Sequence, residues 1–154
     1  MMYNIKFQKL LLYNINMNKE NFDNLEGLTK EIIPLFDFST VKFSNNECSC
    51  DIVITDKFTS KDKVIDDGVL LALIDTFSSY AVMFLSPQDD YKKYLSLSIK
   101  MTSFTSTSSK RLTIKVSLEK KFDRNILLNI TVSDPEGKII KRISHLKRRI
   151  ASKL

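Results

Sequence analysis

From Phe36 onward the chain alternates apolar and polar residues at intervals of two, interrupted by one long apolar run. Phe36, Phe38, Val41 and Phe43 suggest a strand, and Ser44-Asn45-Asn46-Glu47 has the chemistry of a turn. Cys48, Cys50, Ile52 and Ile54 then alternate with Ser49, Asp51, Val53 and Thr55, so this stretch reads as a hairpin. Four further alternating segments follow the apolar run. Leu95, Leu97, Ile99 and Met101 share one face of the first, with Ser96, Ser98 and Lys100 on the other. The corresponding faces of the next three carry Leu112, Ile114, Val116 and Leu118, then Ile126, Leu128, Ile130 and Val132, then Ile139, Lys141, Ile143 and His145. A turn around Lys121–Asn125 joins the second and third segments. Asp134-Pro135-Glu136-Gly137 joins the last two, with proline second and glycine fourth, as a tight turn prefers. The pattern predicts four strands in a meander.

The run between the hairpin and these strands is VLLALIDTFSSYAVMFL, residues 69–85, with no proline until Pro87. It is apolar nearly all round, which marks a core helix. Asp66 or Asp67 can cap it, because a carboxylate accepts bonds from the free N–H groups of a first turn. The run is long enough to cross a membrane. Asp75 sits in its middle, with Ser78 and Ser79 close behind, so a buried helix is expected and a membrane span is not. In residues 1–33, Leu10, Leu11, Leu12, Ile15, Met17 and Phe22 suggest a short amphipathic helix, and a further helix is expected over 24–33, before Pro34. The expected organisation is a helical extension over 1–33, one domain over 34–149 and a tail over 150–154. One long helix and an antiparallel sheet with one apolar face have an obvious packing solution, in which the sheet curls around the helix. The fold class is α+β.

Composition narrows the chemistry. At 154 residues the chain suits one domain with a real core. Three glycines and three prolines leave little room for disordered linkers. Cys48 and Cys50, two apart, are too few for a zinc site, poorly spaced for a disulfide and consistent with a reducing compartment. His145 is the single histidine, which removes most metal-site and triad chemistry. The net charge of +6 suits an anionic partner, but no aromatic platform accompanies the basic cluster Lys141, Arg142, Lys147, Arg148, Arg149 and Lys153, so a nucleic-acid partner is not expected. The apolar stretch Phe7–Tyr13 is too short for a secretory signal.

Three segments in order and spacing, DDGVLLALIDTFSSYAVM (66–83), YLSLSIKMTSF (94–104) and NILLNITVSDPEGKIIKRISHLKRR (125–149), resemble hotdog-fold thioesterases of the phenylacetate-pathway and thioesterase-superfamily type. The resemblance implies a hotdog fold, with a curved antiparallel sheet wrapped around one long central helix. It implies a homodimer or a dimer of dimers, with the active site across the dimer interface. It also implies hydrolysis of an acyl-CoA to free acid and coenzyme A, with coenzyme A entering as part of the substrate and no separate cofactor or metal. Asp75, nine residues after Asp66, takes the place of the family's base or nucleophile. Ser96 takes the place of the serine that orients water, and Gly68 supplies the oxyanion N–H at the helix start. His145 stands at a histidine of the family's last hairpin.

The chain departs from that pattern at the helix start. Asp66-Asp67 stand where the family has His-Gly, and Ser60 stands near the place of a side-chain amide. Two carboxylates there repel a developing oxyanion and the phosphates of coenzyme A. The second expectation is therefore a hotdog protein without catalysis, acting as an acyl-CoA-binding or assembly subunit. Hydratase and dehydratase chemistry pairs a histidine with an acid, and His145 lies far along the chain from Asp75. The terminal Ser152-Lys153-Leu154 matches the peroxisomal address read by an import receptor. The expected location is the peroxisome matrix, with cytoplasm and mitochondrion as alternatives.

Overall fold

Residues 28–86 and 94–150 are described by the computed structural model of the chain. The expected amphipathic helix near the start, the loop beginning at Pro87 and the Ser152-Lys153-Leu154 tail lie outside the described residues. Helix α1 is short, Leu28–Ile32, and a 3-10 turn with Pro34 near its start, Ile33–Leu35, leads into the sheet. Ile32 is buried in the same core as the strands, so packing begins before the boundary expected at residue 34.

The hairpin forms as expected from β1 (Phe36–Ser44) and β2 (Glu47–Val53), with Ser44 opposite Glu47 across Asn45-Asn46. Helix α2 covers Asp67–Leu85. Four strands follow: β3 (Tyr94–Ser103), β4 (Arg111–Phe122), β5 (Asn125–Ser133) and β6 (Ile139–Arg149). The turn into β6 closes with the Gly137 N–H bonded to the Asp134 carbonyl, and Gly137 takes the left-handed φ of +83° that glycine adopts without strain.

The six strands form one antiparallel sheet in the order β1-β2-β4-β5-β6-β3. This corrects the expected four-strand meander. Strands β4, β5 and β6 do pair in sequence, but β3 pairs with β6 and leaves β4 to pair with β2. The segment between β3 and β4 carries the chain past the width of β5 and β6.

One face of the sheet holds the core. Cys48, Cys50, Ile52, Leu112, Ile114, Val116, Ile126, Leu128, Ile130 and Ile143 are buried there, together with Leu70, Leu73, Ile74, Phe77 and Ala81 of α2. The helix spacing of three and four sets one stripe of α2 against the sheet. Its opposite side, including Leu71, Ala72, Asp75, Thr76 and Met83, is only half-buried. By length and composition α2 could cross a membrane, but its buried stripe packs on the sheet as a core helix does. Burial pushes the Cys50 thiol up to about 12 and the Cys48 thiol higher still, so both stay protonated packing groups.

Strand β3 contains a second correction. Ser96 pairs with Lys147 and Ser98 pairs with Leu146, so Leu97 is an extra residue with no partner of its own. Such a bulge shifts the alternation by one. Ser96 therefore turns to the helix side with Ile99 and Met101, at an exposed stretch of the strand, while Leu95 and Leu97 are 53% and 48% exposed. Regular alternation had placed Leu95 and Leu97 inside and Ser96 outside.

Candidate active site

Both acids at the start of α2 have partners. Asp66 is the N-cap, and its Oδ1 accepts from the Gly68 N–H at 2.8 Å and the Val69 N–H at 3.1 Å. A Cβ at residue 68 would stand 3.0 Å from that oxygen, so glycine suits the close approach. Asp67 accepts from Lys141 Nζ at 2.6 Å, and Lys141 also donates to Ser103 Oγ at 2.9 Å. The Gly68 N–H, expected to face an oxyanion, is thus taken up by the cap. Ser60 lies in the preceding turn, where its N–H bonds to the Val64 carbonyl.

Two turns further along, Asp75 projects toward the seam between α2, β3 and β6. Ser79 donates to its main-chain carbonyl at 2.8 Å and Ser78 Oγ lies 3.1 Å from the same atom, so neither serine holds the carboxylate. The carboxylate is held from the sheet. Its Oδ1 accepts from Ser96 Oγ at 2.5 Å and from Lys147 Nζ at 2.8 Å. His145 Nε2 stands 3.5 Å from the same oxygen and 3.0 Å from Ser96 Oγ. His145 Nδ1 faces Ser78 Oγ at 3.1 Å.

Charge and exposure divide the cluster. The side chains of His145 and Lys147 are fully buried, while that of Asp75 is 47% exposed. Burial acts to raise the Asp75 carboxyl, but hydrogen bonds from Lys147 and Ser96 and the lysine charge outweigh it and hold the group below its usual range. Burial, aided by the charge of Lys147, pushes His145 down to about 4 against the pull of Asp75, so the imidazole is neutral at pH 7. Burial also lowers Lys147, opposed by its bond to Asp75 and by the carboxylate charge.

These states assign the protons. Ser96 has one proton and two neighbours able to accept it, and the charged carboxylate at 2.5 Å is the stronger and nearer. His145 Nε2 must then carry the proton that joins it to Ser96 Oγ, so Nδ1 is an acceptor and takes the single Ser78 proton in place of the Asp75 carbonyl. Every donor in the series Ser78, His145, Ser96 points toward Asp75. The Asp75 Oδ2 takes part in none of these bonds, so the carboxylate is tied down through one oxygen and open through the other.

Of the residues named from the sequence, Asp75 and Ser96 come together, and Gly68 lies at the helix start about two turns away. His145 and Lys147 were not expected as partners of Asp75. Their signal was present in β6, where Lys141, His145 and Lys147 share the inward face with Ile143. Charged residues on a buried face require partners. Among the described residues, no group of three or more His, Cys, Asp or Glu side chains could hold a metal ion.

No family model matches the chain, and no curated protein matches it. Solved structures do. A protein of Lactococcus lactis named as a thioesterase, yhdA, superposes with a TM-score of 0.66 at 16% identity, covering 74% of this chain and 92% of that one. A Mycobacterium tuberculosis protein named as an esterase gives 0.64 at 14% identity, covering 74% and 94%. A Streptococcus pneumoniae protein named as a thioesterase and solved with coenzyme A gives 0.62 at 12% identity, covering 77% and 90%. The chain has the hotdog fold.

Proposed function

We propose that the protein hydrolyses an acyl-CoA thioester to free acid and coenzyme A at Asp75. The observation that carries this reading is the state of the carboxylate. It is charged, anchored through Oδ1 by Ser96 and Lys147, and half-exposed in an otherwise apolar helix. A carboxylate held ionised by a buried lysine and left open on one side is suited to chemistry at that side. Thioester hydrolysis needs such a group, either to take a proton from the attacking water or to attack the carbonyl carbon itself. In the first case the water oxygen bonds to that carbon, its proton passes to Asp75, and the carbon–sulfur bond breaks as Asp75 returns that proton to the sulfur, releasing the thiol and restoring the carboxylate. Ser96 contributes by holding the carboxylate, since its own proton and both lone pairs are engaged by Asp75, His145 and Lys147. The fold shared with proteins named as thioesterases, one of them solved with coenzyme A, supports the substrate class.

The reading includes a homodimer or a dimer of dimers. Strand β3 is a sheet edge bearing exposed Leu95 and Leu97, and the half-buried side of α2 lies near it, so a second copy suits both surfaces. The reading also includes delivery to the peroxisome through Ser152-Lys153-Leu154. The test is release of free thiol from short, medium, long and aromatic acyl-CoAs, with Asp75→Asn alongside. Absence of turnover on every chain class would remove the proposal.

One observation favours a second reading. The Asp66 carboxylate occupies the Gly68 and Val69 N–H groups, which are the natural donors to an oxyanion at a helix start. A hotdog subunit that binds acyl-CoA without cleaving it fits that closed helix end. An acyl-CoA that co-purifies and stays intact on incubation would support this reading over hydrolysis.

A further inference from the structure

We infer that Lys147 and His145 are positioning residues that hold Asp75 with Oδ1 turned into the protein and Oδ2 presented outward. The inference deepens the proposed reaction at the same site, and its first observation is the saturation of Lys147. An ammonium has three N–H groups. Those of Lys147 face Asp75 Oδ1 at 2.8 Å, Ser79 Oγ at 2.8 Å and Ser96 Oγ at 3.2 Å, with the Asp75 carbonyl as a fourth, longer acceptor at 3.4 Å. The lysine therefore fixes the carboxylate relative to both α2 and β3. His145 completes the hold from the other side. Its Nε2 proton goes to Ser96 Oγ, which leaves the serine proton for Asp75, and Ser78 fixes the ring through Nδ1.

The second observation is the asymmetry of the pair. The cation is sealed and its carboxylate is 47% exposed. The pair of Lys141 and Asp67 shows a similar contrast, and the Asp75 pair differs in that Ser96 holds the same carboxylate oxygen as the lysine. Sealing an ammonium is expensive, and an apolar residue of similar length would pack there at lower cost. The carboxylate, by contrast, reaches solvent through the oxygen that Lys147 leaves alone. The arrangement orients an acid toward something outside the protein. No other charged or titratable side chain faces Asp75 among the described residues: β6 supplies Lys147 and His145, β3 supplies the Ser96 hydroxyl, and α2 supplies only serines.

The experiment is a carbon-13 NMR titration of the Asp75 carboxyl in the full chain, followed without substrate, beside the pH profile of kcat/KM. The proteins are wild type, Lys147→Met, His145→Leu and His145→Gln. Lys147→Met should raise the Asp75 midpoint by about one pH unit or more, because an opposite charge within hydrogen-bond reach is lost. His145→Leu should raise it less, and His145→Gln, which keeps an N–H donor, should restore the wild-type midpoint. The acid limb of kcat/KM should move with the midpoint. If Lys147→Met does not fold, the leucine and glutamine variants of His145 decide the matter by themselves. An Asp75 midpoint unchanged in every folded variant overturns the inference. Wild-type protein with no turnover would remove thioester hydrolysis but leave the NMR comparison intact, so the two failures are distinguishable.

Discussion

Lys147 Nζ donates to Asp75 Oδ1 at 2.8 Å across the seam between β6 and α2, with the lysine sealed and the aspartate half-open. Asp75→Asn leaves that ammonium buried without its counter-charge. The expected cost is about 1–3 kcal/mol, below the value for a pair buried on both sides because the carboxylate is partly solvated. Adding Lys147→Met should recover most of the loss. Urea unfolding of the two single variants and the double variant measures the coupling, and additive losses would contradict it.

The same Asp75→Asn change should lower thioester turnover by about 100-fold or more, the scale of a lost general base. Thiol release at saturating acyl-CoA reads this directly.

Asp66→Ala removes the cap of α2 and should cost about 1 kcal/mol of stability. It also releases the Gly68 and Val69 N–H groups and removes a negative charge from the helix start. Turnover should rise while the melting temperature falls. A drop in both would mean that Asp66 does more than cap the helix.

His145 gives a pH dependence of known sign. Its folded value, about 4, lies below the ordinary 6.5, so the unfolded chain binds the extra proton between those limits. Stability present at pH 7 is therefore lost as pH falls from about 6.5 toward 4, by up to about 3 kcal/mol. Unfolding free energies at pH 7 and pH 4.5 should differ less in His145→Gln than in wild type.

Leu95→Lys combined with Leu97→Lys places two charges on the exposed side of the edge strand β3. If the protein is the proposed dimer, sedimentation should show a shift toward monomer, with the far-ultraviolet circular dichroism unchanged.

Much of the architecture was legible as periodicity. Alternation every two residues marked β1, β2, β4, β5 and β6, and the apolar run marked α2, because these patterns are local consequences of which face is buried. Asp75 stood out as a charge in an apolar helix, and the cap was narrowed to Asp66 or Asp67, of which the fold uses Asp66. Other features depended on distant parts of the chain. The extra residue Leu97 inverted the faces around Ser96, and a bulge is recognisable only against the strand it pairs with. The placement of β3 beside β6, rather than β4, brought Ser96 to His145 across 49 residues of sequence. Lys147 met Asp75 across 72. Hydrophobic periodicity shows which way a side chain faces. Only strand order and register decide which side chain faces it, and here that choice turned a solitary acid into a carboxylate held by a buried lysine, a serine and a histidine.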